Sequence, residues 1–167
     1  MKKILFIGGP MGIGKTAVSE RLNQLLDHSV FLDGDWCWNM DPFIVNEENK
    51  KMVISNVQHL LQSYIDNAGF EHIVFSWVMD EQEIIDAILD KVEFHHAEFY
   101  SISLLASEEK LVSNLSKDIQ LGVRDKEVIC RSIARLVKYE QVHSDKIDTT
   151  NLSIEETAQE IMKLIHR

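Results

Sequence analysis

The chain has 167 residues, enough for one domain with a true interior, and 45% of them are apolar. Its formal net charge of -10 repels phosphate backbones, which argues against nucleic acid as a partner. No repeat, low-complexity tract or linker-like stretch divides it, so residues 1–167 are expected to form a single domain.

Residues 3–8 are short and apolar and predict a buried strand. The start, MKKILFI, imitates a secretion signal, but the apolar run is too short and enters GGP without a small-residue cleavage pattern. No later segment approaches the roughly 20 apolar residues of a membrane span, so no membrane is expected. Residues 16–26 predict a helix with Ala17, Leu22, Leu25 and Leu26 as its apolar stripe. HSVFLDGD, residues 28–35, is a second strand ending in acids. Asn46 is placed to cap a long helix through Asp66, with Glu47 and Glu48 beside its positive end. HIVFSWVM, residues 72–79, is a third strand, and Asp80 with Glu83 has the capping-box pattern for a helix to about Val92.

Residues 98–105 predict a fourth strand, and Ser107 starts the next helix. Residues 125–141 read as helical and carry Arg131 and Arg135 four apart. A short fifth strand is expected over 144–149. Ser153 and Glu156 form a second capping box for a last helix, with Ile154, Ala158, Ile161 and Leu164 or Ile165 inward. Strands alternating with helices predict an α/β fold, a parallel sheet covered on both faces. Ligands of such sheets bind beyond the carboxyl ends of the strands.

GGPMGIGKT, residues 8–16, lies at such an end and fits G-x-x-x-x-G-K-[ST] at every fixed position. Glycines permit backbone angles that β-carbons forbid, so successive N–H groups can turn inward around a phosphate. The helix start adds unpaired N–H groups and a positive dipole end. Gly9, Met11, Gly12, Ile13, Gly14, Lys15, Thr16 and Ala17 are the expected triphosphate contacts. Lys15 reaches the β- and γ-phosphates and the Thr16 hydroxyl ligates Mg²⁺. The expected ligands are a nucleoside triphosphate and magnesium.

LDGD, residues 32–35, closes the second strand. Positions 33 and 35 share one face of an extended chain, which aims both carboxylates at one site. Asp33 is assigned to the metal shell, and Asp35 to substrate contact and to the base that accepts the acceptor's hydroxyl proton.

These pieces resemble the small P-loop kinases, among them shikimate, gluconate, adenylylsulfate and nucleoside monophosphate kinases and chloramphenicol phosphotransferase. The resemblance rests on GPMGIGKT, on the D-x-D ending the second strand, and on an arginine-bearing segment late in the chain. It implies a three-layer αβα P-loop NTPase fold with a five-stranded parallel sheet and phosphoryl transfer from ATP to a small molecule. It also implies a mobile lid within about 117–135 and an acceptor-side segment within about 36–69. The lid candidates are Arg124, Arg131 and Arg135, the first two placed at the transferring phosphoryl group. By the same resemblance the adenine rests near DTTN, residues 148–151, on Thr149 or Thr150.

No arginine occurs between Asn23 and Gly122, the span where such kinases grip anionic acceptors. Lys50 and Lys51 fall in a predicted exposed helix. The acceptor is therefore read as neutral or cationic, held by Trp36, Trp38 and Trp77 together with Asp35. Two further readings stay open: a nucleotide kinase, and an ATP-binding switch without an acceptor. Cys37 and Cys130 match neither a metal nor a disulfide pattern, and the cytoplasm is the expected compartment.

Overall fold

The computed structural model describes residues 1–166. Five parallel strands stand in the order β2-β3-β1-β4-β5. They are β1 (Lys3–Gly8), β2 (Ser29–Asp33), β3 (His72–Ser76), β4 (Glu98–Leu105) and β5 (Asp145–Asp148). Among the described residues the six α-helices are α1 (Lys15–Leu25), α2 (Glu47–Asp66), α3 (Gln82–Leu89), α4 (Glu108–Gln120), α5 (Val128–Leu136) and α6 (Ile154–Ile165). This is the predicted α/β architecture.

The period-two alternation of β1 builds both layers. Ile4 and Phe6 enter the core under α2 and α3. Leu5 and Ile7 enter the core shared with α1 and α6. Because β1 is central and buried on both faces, it reads as a continuous apolar run. In register, Lys3 faces His72 of β3 and Glu98 of β4, which brings the carboxyl ends of all three strands to one edge.

Three predicted caps form. Asn46 accepts the amide of Asn49 at 2.7 Å, Ser107 caps α4, and Ser153 and Glu156 complete their box. The fourth does not: α3 starts at Gln82 after Glu81, and Asp80 caps nothing. Asp80 is instead buried, 2% exposed, against Arg135. A tertiary cation competes better for this carboxylate than a local amide, since a buried charge requires a partner.

Other differences are local. β2 ends at Asp33, and Gly34–Trp38 is a 3-10 turn rather than extended chain. β3 ends at Ser76, which leaves Trp77, Val78 and Met79 as a loop at the sheet edge. The helical stretch expected over 125–141 starts only at Val128 and tightens into a 3-10 turn over Val137–Gln141. α1 buries Val18, Ser19 and Leu22, while Ala17 is half-buried. Ile154 is exposed rather than inward, because the first turn of α6 borders a cavity instead of the core.

Candidate active site

The chain crosses from β1 to α1 through residues 9–14, at the carboxyl edge of the sheet. Gly12 takes φ 82°, and a β-carbon there would lie 2.5 Å from Leu115 Cδ2. Gly14 takes φ 98°, and a β-carbon there would meet nothing within 4 Å, because that side opens into the hollow of the loop. Only glycine serves both positions without strain.

Three side chains hold this loop from outside. Asn114 Nδ2 donates to Gly12 O at 3.0 Å. Ser132 Oγ donates to Met11 O at 2.6 Å. The hydroxyl of fully buried Tyr139 accepts the amides of Gly9 at 2.9 Å and of Met79 at 3.2 Å. The Gly9 amide is thereby committed inward, while those from Gly12 onward border the cavity. No local signal marks Asn114, Ser132 or Tyr139, because each acts across more than a hundred residues of chain.

A cavity of about 820 Å³ runs along the loop and is lined by Met11 through Val18, Asp33, Asp35, Trp77, Lys110, Arg124 and Thr149. Thr16 Oγ1 donates to Asp33 Oδ2 at 2.9 Å. The other oxygen of Asp33 accepts the Asp35 amide at 3.0 Å, which turns the chain after β2. Asp33 and Asp35 therefore reach one cavity through a tight turn rather than through an extended strand. A hydroxyl and a carboxylate in contact are hard oxygen donors, the set that Mg²⁺ accepts alongside phosphate oxygens. Among the described residues no three His, Cys, Asp or Glu side chains converge as a metal site of their own.

A second cavity, of about 940 Å³, adjoins the first between α2 and α3. Its lining includes the apolar side chains of Trp38, Phe43, Ile54 and Ile84 and the charged ones of Lys50, Glu47, Glu81, Glu83 and Arg135. Met11, Asp35, Trp77 and Val78 line both cavities.

A family model described as "AAA domain" matches residues 5–132, most of the chain and the whole phosphate loop. The chain belongs to the AAA domain family. No curated protein matches. Similar solved structures include a gluconokinase from Sinorhizobium meliloti 1021, at TM-score 0.73 and 15% identity over 99% of this chain and 92% of that one. A tunicamycin resistance protein of Deinococcus radiodurans follows at TM-score 0.70 and 17% identity, covering 99% and 96%. A shikimate kinase from Acinetobacter baumannii, in complex with shikimate, matches at TM-score 0.67 and 19% identity, covering 99% and 94%. Likeness at such identity is one of fold: this AAA domain shares its overall fold with these structures.

The loop lysine of this AAA domain donates to Pro10 O at 3.0 Å. Desolvation lowers the Lys15 pKa to about 8, with Arg124 and Arg135 adding to the fall and Asp35 and Asp33 opposing it. Asp35 moves the other way: desolvation first, then the Asp33 charge, raises its carboxyl above the usual range, against the pull of Lys15. Both groups line the loop cavity, and Asp35 lines the second cavity as well.

The arginines separate. Arg124 lines the first cavity and pairs with Asp118 at 3.2 Å. Arg135 lines the second and pairs with Asp80 at 2.8 Å. Arg131, one turn from Arg135, lines neither and pairs with Asp125 at 3.0 Å. Thr149 lines the first cavity, whereas the Thr150 hydroxyl accepts the Ser107 amide and donates to Asp148. Trp38 and Trp77 line the second cavity, but Trp36 is 58% exposed and stacks edge-on against Phe31. Lys50, expected on a solvated face, lines the second cavity and pairs with Glu47 at 2.8 Å. Among the described residues no helix is long and apolar enough to cross a membrane.

Proposed function

We propose that the chain is an ATP-dependent phosphotransferase that moves the γ-phosphate to a hydroxyl of a small neutral or cationic acceptor. One observation carries this reading. Asp35 stands where the loop cavity and the aromatic-walled cavity meet, so a hydroxyl in the second can contact Asp35 while it faces a phosphate in the first. The folds shared with a gluconokinase and a shikimate kinase support it.

In this reading the amides from Gly12 to Thr16 cradle the triphosphate, and Lys15 gives up its contact with Pro10 to bridge the β- and γ-phosphates. Asp35 accepts the acceptor's hydroxyl proton as the new O–P bond forms, and the bond to the β-phosphate oxygen breaks to release ADP. Arg124, on the wall of the same cavity, neutralises charge on the transferring group. Thr16 and Asp33 would hold magnesium, which would supply positive charge to the phosphate oxygens. The raised pKa of Asp35 suits a proton acceptor, since a stronger base takes the proton more readily. The partner is a small molecule. A cytoplasmic setting, rich in ATP and reducing enough to keep the free thiols of Cys37 and Cys130, suits the chemistry.

The test is ADP release with ATP and magnesium against a panel of sugars, amino alcohols, nucleosides, hydroxyl-bearing antibiotics and nucleoside monophosphates. Stimulation by a non-anionic alcohol, with a phosphorylated product, is the expected result. Stimulation by monophosphates alone would make it a nucleotide kinase. Tight ATP binding with no stimulation by any compound would leave an ATP-binding switch.

A further inference from the structure

Every cation on the wall of the acceptor cavity is already spoken for. Lys50 is held by Glu47 at 2.8 Å and Arg135 by Asp80 at 2.8 Å. Lys138, just behind, pairs with Glu81 at 2.6 Å and lies 3.7 Å from Asp80. Counted together, Asp80, Glu81, Arg135 and Lys138 sum to zero, as do Glu47 and Lys50. Two lining carboxylates remain, Asp35 at the inner end and Glu83 on the first turn of α3. Neither forms an ion pair among the described residues, and Glu83 accepts no side-chain hydrogen bond among them.

The same cavity is also lined by aromatic rings. The rings of Trp38 and Phe43 lie 5.7 Å apart at 52° and form a corner, and Phe43 is 66% exposed. Trp77 closes the side shared with the loop cavity. Aromatic faces attract organic cations, and an open apolar corner calls for an apolar body to cover it.

We propose, resting on the phosphotransferase reading, that the acceptor is an amino alcohol with an aromatic or apolar body: its hydroxyl at Asp35, its body in the Trp38–Phe43 corner and its ammonium at Glu83. An anionic acceptor finds only committed cations. To engage Arg135 it would have to draw it from Asp80, a carboxylate 2% exposed that cannot turn to solvent. An acceptor's ammonium meets Glu83, a carboxylate in no ion pair among the described residues.

The test uses the full chain saturated with a non-hydrolysable ATP analogue and magnesium, with tryptophan fluorescence as the readout. Three ligands share one scaffold: phenylserinol, a cation, its neutral N-acetyl derivative and its anionic N-succinyl derivative. The amine is expected to bind about tenfold tighter than the N-acetyl compound, one charge-assisted contact's worth, and the succinyl compound weakest. Glu83→Gln, at an exposed site, is expected to erase the amine's advantage over its N-acetyl partner, and added salt to shrink it in the unaltered protein. Equal binding of amine and N-acetyl compound, stronger binding of the succinyl compound, an advantage that survives Glu83→Gln, or no response from any of the three overturns the proposal. Phosphorylation of the N-acetyl compound as fast as the amine would remove the cation preference and keep the phosphotransferase. Silence across the whole hydroxyl panel, with ATP still bound, would remove the phosphotransferase itself.

Discussion

The Tyr139 hydroxyl accepts the amide hydrogen of Gly9 at 2.9 Å, joining the segment after α5 to the first residue of the phosphate loop. The same oxygen takes the Met79 amide, so one buried phenol fixes the loop entrance against the end of the β3 segment. With Ser132 of α5 on Met11 O, it ties α5 and the turn that follows it to the loop at two points.

Tyr139→Phe leaves two buried amides without an acceptor, which costs about 2–3 kcal/mol of stability. Urea unfolding checks this. Calorimetry is expected to show weaker ATP binding as well, because the loop entrance loosens; unchanged stability would remove Tyr139 from this role.

Lys15 carries its proton only up to about pH 8 in the free protein, within a field set by Asp33, Asp35, Arg124 and Arg135. A triphosphate favours the ammonium, so binding is expected to take up a proton as pH rises through about 8, and ATP affinity to fall by up to about tenfold per pH unit above it. Calorimetry in buffers of different ionisation enthalpy measures the uptake, which Lys15→Ala is expected to abolish. The folded value lies below the unfolded 10.5, so this lysine's cost to folding is largest below pH 8 and is relieved between 8 and 10.5.

Asp35→Asn keeps the shape of the turn and removes the proton acceptor. Acceptor-dependent turnover is expected to drop about 10²- to 10⁴-fold while ATP binding persists. Steady-state assay beside equilibrium binding separates the two, and full turnover would exclude Asp35 from the chemistry.

A β-carbon at Gly34 would lie 2.5 Å from Trp77 Cγ. Gly34→Ala is therefore expected to push the indole into the space between the cavities, at a cost of about 1–3 kcal/mol. The expected signature is a shifted tryptophan emission and a raised KM for acceptor, with a smaller change for ATP.

Arg135→Ala strands the Asp80 carboxylate with only Lys138 at 3.7 Å. The arginine is more than a third exposed, so a loss of about 1–2 kcal/mol is expected, and a double-mutant cycle with Asp80→Asn is expected to recover part of it.

The phosphate loop was readable because its chemistry is local: glycine angles, an ammonium and a hydroxyl fall within nine consecutive residues. The strands were readable for a similar reason, since a central parallel strand advertises two-sided burial as an unbroken apolar run. Asp33 and Asp35 of the D-x-D line one cavity, as expected, but not through an extended chain. A side-chain acceptance by Asp33 bends the chain where alternation predicted extension.

Asp80 shows where pattern failed. Its spacing to Glu83 satisfies a capping box, yet a cation 55 residues away takes the carboxylate. Arg131 and Arg135 share a helical spacing, yet they pair with different acids, Asp125 and Asp80, because spacing does not decide which acid each guanidinium meets.

Taken alone, the order of residues determined the strand-helix alternation, the glycine-rich loop with its lysine and hydroxyl, and the absence of arginine from residues 23–122, because each is written in neighbouring positions. Folding decided which charges are spent and which are free, what braces the loop, and that Asp35 borders two cavities. Those are facts of distance between remote segments, and electrostatic pairing is settled by ångströms in space rather than by separation along the chain.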